Sequence, residues 1–179
     1  MNGFSEEKLL QLRSKTLSPR IAEKIPEKEA EEKIYKDNDG KIGIPAHNLF
    51  SCLIEAGRLI KLDGKRSIST ATSSLLPSFL EIEEPFFPLE DGGKWQVDVR
   101  RGRNPRDGSM ICLVRPIFHN WPFSFTLRVD EKQINEDKVK QLVEYAGSRI
   151  GLCDFRPARR GPFGRFTIKH WKRIKSKEN

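Results

Sequence analysis

Apolar and polar residues alternate most regularly in the second half of the chain. Phe123, Phe125, Leu127 and Val129 interleave with Ser124, Thr126 and Arg128, which predicts a strand with one buried face. Trp95, Val97 and Val99 interleave with Gln96, Asp98 and Arg100 and predict a second, half-buried strand. Met110 to Val114 is apolar without interruption, as a central strand would be. Leu10 and Leu12 alternate more weakly within 8–17, and proline breaks the apolar run 75–89 so that only a short strand near 79–82 is expected. A last strand is expected over about 165–171.

Helical spacing occurs twice. Leu49, Leu53, Gly57 and Ile60, with Phe50 and Ile54 beside them, predict a well-buried helix over 46–60, entered through Pro45. Val139, Leu142, Val143, Ala146 and Ile150 predict another. Asn135 is its expected N-cap, Glu136 and Asp137 suit the helix dipole, and Gly147 is the expected end signal. The Glu/Lys-dense stretch 23–35, with Ile25, Ala30 and Ile34 as sparse apolar positions, reads as an exposed helix or arm. Asp37 to Gly40 and Asp91 to Gly93 are turn signals, and 63–74 is loop.

The order strand, helix, several strands, helix, strand is the pattern of an α+β, ferredoxin-like (split β-α-β) domain. Both helices would pack on one face of an antiparallel sheet with a hairpin inserted. On this reading 1–40 is an N-terminal strand and charged arm, 41–171 the core, and 172–179 a basic tail.

Charge changes the picture from fold to function. The 179 residues carry a net charge of +8, and the excess lies in the second half: 149–179 alone has ten Lys/Arg against two Asp/Glu. A localised basic face points to a polyanion. The three cysteines are dispersed, with no CxxC or Cys/His spacing for zinc, and Cys52 and Cys112 read as small buried hydrophobes. No carboxylate cluster has metal-ligand spacing, so no metal or cofactor is expected. No apolar leader or membrane-length run is present, so a reduced, cytoplasmic protein without a membrane partner is expected.

The densest chemistry lies in 149–166, which holds five arginines, three glycines, two prolines and three phenylalanines. Arginine forks match phosphate geometry, and glycine lets another backbone approach. Arg156, Arg159, Arg160 and Arg165 are the candidate phosphate contacts, with Gly161 and Gly164 shaping the loop. Phe163, between Pro162 and Gly164, is the ring expected to be exposed for stacking; Phe155 and Trp121 are further candidates. Arg159 and Arg160 are expected at the tip, while Arg156 and Arg165 are placed to pair with Asp154 or another carboxylate. A second basic turn carries Arg101, Arg103 and Arg106. The plain alternative is a pair of solvated basic turns with no ligand.

The segment Ile44-Pro45-Ala46-His47-Asn48-Leu49-Phe50, continuing to Arg58, resembles the entry to the first helix of many CRISPR RAMP-superfamily proteins. The loop from Gly151 to Phe166 is similar to their C-terminal glycine-rich loop, and small phage-encoded proteins with such a loop share the layout. The resemblance implies an RNA-recognition-type ferredoxin-like fold and a non-catalytic protein that binds single-stranded RNA or DNA, as a subunit of a ribonucleoprotein. It also implies two alternatives. One is a metal-independent RNA endonuclease using His47, with His170 second; the other is an interaction module or inhibitor that mimics an effector subunit.

Overall fold

Proline and the two apolar stripes set where the elements begin. The computed structural model describes residues 25–104 and 106–174. The strand expected at 8–17 and the end of the basic tail lie outside the described residues. The elements in chain order are α1 (Pro26–Glu31), β1 (Gly43–Pro45), α2 (Ala46–Ala56), α3 (Leu76–Phe79), β2 (Leu80–Ile82), β3 (Phe86–Pro88), β4 (Gln96–Arg103), β5 (Met110–Ile117), β6 (Leu127–Val129) and α4 (Glu136–Tyr145). A 3₁₀ turn, Gly57–Leu59, follows α2 and a π turn, Ala146–Ile150, follows α4. The chain divides into two units: residues up to Ile44 with Pro88–Phe123, and Pro45–Phe87 with the residues from Ser124 onward.

The first unit is built on the β4–β5 hairpin, paired antiparallel from Gln96↔Ile117 to Arg103↔Met110. Asn104 N–H closes its tip on the Ser109 carbonyl at 2.9 Å, and Gly108 supplies the left-handed turn residue (φ +71°). Helix α1 lies across both strands, with Ala30 buried. Lys33 ties it down by donating to Glu29 at 2.6 Å and to the Val114 carbonyl at 2.7 Å. The Asp37–Gly40 turn forms as expected, with the Asp37 carboxylate accepting from Asp39 N–H and Lys41 N–H.

Among the described residues the apolar run 110–114 is not a central strand: no third strand pairs with the hairpin there, Met110 is 63% exposed, Cys112 is exposed, and only Val114 is buried. Val99, expected on a buried face, is 54% exposed for the same reason.

Most of the apolar core belongs to the second unit. Leu49, Cys52, Leu53 and Ala56 form the buried stripe of α2, and Val139, Leu142 and Val143 form that of α4, continued by Ala146 and Ile150. The two helices pack on each other. Burial of each Leu or Val contributes about 1.5–3 kcal/mol. Asn135 caps α4, its side chain accepting from Lys138 N–H at 2.9 Å. Beneath the 3₁₀ turn, Ser69 is buried and shares a hydrogen bond with Ser74 at 2.8 Å. A Cβ on Gly57 would stand 2.6 Å from the Ser69 hydroxyl.

Strand β2 pairs antiparallel with β6, Leu80↔Val129 to Ile82↔Leu127. Arg128 bridges Glu81 and Glu83 at 3.2 Å each. The long strand expected over 123–129 is thus three residues, because its partner is short: α3 runs into β2 at Leu80, and Pro85 follows soon after. The strand expected over 165–171 is not formed. There Phe166 N–H bonds the Gly147 carbonyl at 3.2 Å, and the Trp171 indole bonds Glu136 at 2.6 Å, so this stretch is held by α4 and its extension.

The class is therefore mixed α+β with antiparallel pairing, as the order of elements predicts. Among the described residues no sheet exceeds two strands, so these ladders do not draw one ferredoxin-like sheet.

Cys52 joins the two helices chemically. Its thiol lies 3.4 Å from the Ala146 carbonyl and 3.3 Å from that of Gly151, serving as donor to the first residue of the π turn and to the residue that follows it. Burial pushes it up to about 12, against an ordinary 9.0, with Arg156 opposing. A folded state that holds this proton longer than the unfolded chain loses stability as pH rises through 9 towards 12. Between pH 9 and 10.5 the wild type is expected to lose about 2 kcal/mol more than Cys52→Ser, whose hydroxyl can donate without ionising in this range. Urea unfolding at both pH values measures this; equal losses in the two proteins would refute it.

Candidate nucleic-acid interface

The loop at 151–166 begins where the π turn ends. Gly151, not Gly147, is the stop signal: it has φ +78° and its N–H returns to the Ala146 carbonyl at 2.8 Å. Gly147 serves a close approach instead, since a Cβ there would stand 2.2 Å from the Phe166 carbonyl oxygen. The loop then folds back on itself. Leu152 N–H bonds the Gly164 carbonyl at 2.8 Å, Phe163 N–H that of Phe155 at 3.2 Å, and Gly161 N–H that of Arg156 at 3.0 Å.

Gly161 and Gly164 make this folding possible. A Cβ at 161 would lie 1.7 Å from the Phe155 carbonyl oxygen, and one at 164, where φ is +71°, 1.9 Å from that of Leu152. Cys153, Phe155 and Arg160 also adopt left-handed backbone, at φ 61°, 52° and 62°. Three non-glycine residues in that region make a loop held by its surroundings in a conformation it would not choose alone.

The four arginines separate into two kinds. Arg159 and Arg160 are exposed, on and just after a 3₁₀ turn (Pro157–Arg159), and their side chains make no hydrogen bond or ion pair among the described residues. Arg156 is anchored: it pairs with Glu55 of α2 at 3.5 Å and donates to the Cys153 carbonyl at 3.1 Å, while its Nε is buried without a partner among the described residues. Its carboxylate is therefore Glu55. Arg165 is exposed and donates from Nε to the Ser148 carbonyl at 3.3 Å. Arg149 lies over the Tyr145 ring, 4.7 Å from its centre.

The exposed ring is Phe155, at 48%, whereas Phe163 is half-buried. The two rings are tilted by 59° with centres 6.1 Å apart, so they pack on each other. Cys153 is exposed as a residue, yet desolvation of its thiol and the neighbouring Asp154 charge push it up to about 11. At neutral pH it is a thiol.

The hairpin arginines belong to the other unit. Arg101 and Arg103 are exposed on β4, opposite Cys112 and Met110, and Arg106 is exposed at the tip. Asp107, also at the tip, accepts from the Ser109 hydroxyl at 2.7 Å and from its N–H at 2.9 Å, which holds its carboxyl below the usual range. Asp98 pairs with Arg100 at 2.6 Å. Trp121 stacks on Phe123, 5.9 Å apart and 10° from parallel. His47 is exposed in the first turn of α2, and His170 is exposed.

Among the described residues no group of His, Cys, Asp and Glu is arranged to hold a metal ion, and no helix is long and apolar enough to cross a membrane. No protein-family model, characterised protein or solved structure matches this chain.

Proposed function

We propose that this chain is a non-catalytic binder of single-stranded nucleic acid, RNA foremost, acting as a cytoplasmic subunit of a ribonucleoprotein of the CRISPR RAMP type or of a phage relative. One observation carries the proposal. Arg159 and Arg160 stand exposed together on a loop whose glycines clamp its backbone, with the exposed Phe155 ring on the same loop. Guanidinium groups on a preorganised loop suit phosphates, and an aromatic ring suits bases of any sequence. Membership of that ferredoxin-like family is part of the same proposal and rests on the resemblance of 44–58 and 151–166.

Two measurements test it. Purification with and without nuclease, followed by sequencing of the co-purifying nucleic acid, identifies the ligand. Contact with ~4–6 phosphates of a single strand gives a log–log salt slope of about −3 to −4. Affinity that is flat from low to moderate salt would remove a phosphate-dominated site. RNA cut by the purified chain without metal, and left uncut by His47→Ala, would replace the proposal with the endonuclease alternative.

A further inference from the structure

We propose that a cleft in the first unit is a nucleobase pocket, where one base of a bound single strand stacks on Trp95. The β4–β5 ladder ends at Gln96↔Ile117. Lys94 and Trp95 on one side of that pair, and His119 and Asn120 on the other, join Gln96 and Asp91 around an open cleft of about 510 Å³. This volume is within the ~300–1,000 Å³ typical of small-ligand sites.

The lining has the two chemistries that a base requires. The half-buried indole of Trp95 is a flat apolar surface for stacking. The amides of Gln96 and Asn120 each offer a donor and an acceptor to a base edge, and Lys94 offers a cation to the attached phosphate. The Asp91 wall is preorganised: its carboxylate accepts Gly93 N–H at 3.1 Å. Gly93 (φ +70°) sits so close to Ile42 that a Cβ there would be 2.8 Å from its side chain.

An indole with amides and a carboxylate also suits a sugar. The strand that leaves the pocket decides between the two. Arg101 and Arg103 are exposed on β4, five and seven residues beyond Gln96, or about 17–23 Å along the strand. A polyanion seated by one base in the pocket therefore has cations ahead of it, which a neutral sugar would not use. The inference rests on the nucleic-acid function proposed above, though not on the loop at 151–166.

The test titrates the full chain with AMP, with ribose 5-phosphate and with glucose, following tryptophan emission and equilibrium dialysis. AMP is expected to bind saturably and to quench emission, and the other two are not. Trp95→Ala is expected to weaken AMP binding about tenfold, the size of one stacking contact. Trp95→Phe, which keeps a ring, should retain most of the affinity. Asn120→Ala removes only an exposed side chain, so the fold is kept while AMP binding falls several-fold. Equal binding of ribose 5-phosphate, displacement of AMP by glucose, or unchanged AMP affinity in both Trp95→Ala and Asn120→Ala would each overturn the pocket. A single-stranded oligonucleotide separates the two ideas. If it binds wild type and Trp95→Ala alike, the pocket falls and the function stands. If no oligonucleotide binds while AMP still does, the function falls and the cleft stands as a mononucleotide site.

Discussion

Gly161→Ala and Gly164→Ala are each expected to destabilise the second unit by about 2–4 kcal/mol and to weaken oligonucleotide binding with no change in charge. The added methyl would stand 1.7 Å from the Phe155 carbonyl oxygen at position 161 and 1.9 Å from the Leu152 carbonyl oxygen at 164. Both obstacles are backbone, so no rotamer change relieves them. At 164 the left-handed φ of +71° adds about 1–2 kcal/mol for any side chain. Relief requires the two sides of the loop to part, which breaks the Leu152–Gly164 and Phe155–Phe163 hydrogen bonds and releases the Phe155 ring. Gly40→Ala is the control: φ is +79° there, but nothing lies within 4 Å of the new methyl, so only the backbone cost of about 1–2 kcal/mol applies. Denaturant unfolding and oligonucleotide affinity, measured on the same preparations, give the comparison. A Gly161→Ala protein as stable and as tight-binding as wild type would mean that the loop is not folded back on itself.

Arg159→Ala combined with Arg160→Ala should do the reverse, leaving stability within about 0.5 kcal/mol of wild type while binding falls. Both side chains are exposed and make no hydrogen bond or ion pair among the described residues, so folding loses little with them. Removing two phosphate contacts should reduce the magnitude of the single-strand salt slope by about 1.4. Arg156→Ala, only three positions away, should behave differently. It would leave the Glu55 carboxylate without its partner at 3.5 Å in a partly buried setting, so stability should fall more than the salt slope changes. A double Arg159/Arg160 variant that binds like wild type with an unchanged slope would make the loop structural and remove the observation on which the proposed function stands.

Much of the local structure is legible without coordinates, because its causes are local. The apolar spacing of Leu49 and Leu53 and of Val139, Leu142 and Val143 signals two helices, and these residues are on their buried faces. Asn135 caps one of them through its own third neighbour, Lys138, and the Asp37–Gly40 turn closes through bonds spanning a few residues. The exposure of Arg159 and Arg160 was also readable, since Pro157 and Gly161 bracket a turn.

Tertiary structure decided everything that depends on a distant neighbour. Alternation over 123–129 signals a strand, but its length follows from a partner at 80–82 that proline keeps short. An apolar run such as 110–114 looks the same whether a third strand covers it or, as here, none does among the described residues. Arg156 and Arg159 are alike in sequence; only a carboxylate 101 positions earlier makes one an anchor, while the other stays exposed. Phe155 rather than Phe163 became the exposed ring because Gly161 and Gly164 bring the two sides of the loop into backbone contact. No pattern along a chain records how closely two backbones will approach, and that approach shapes the site.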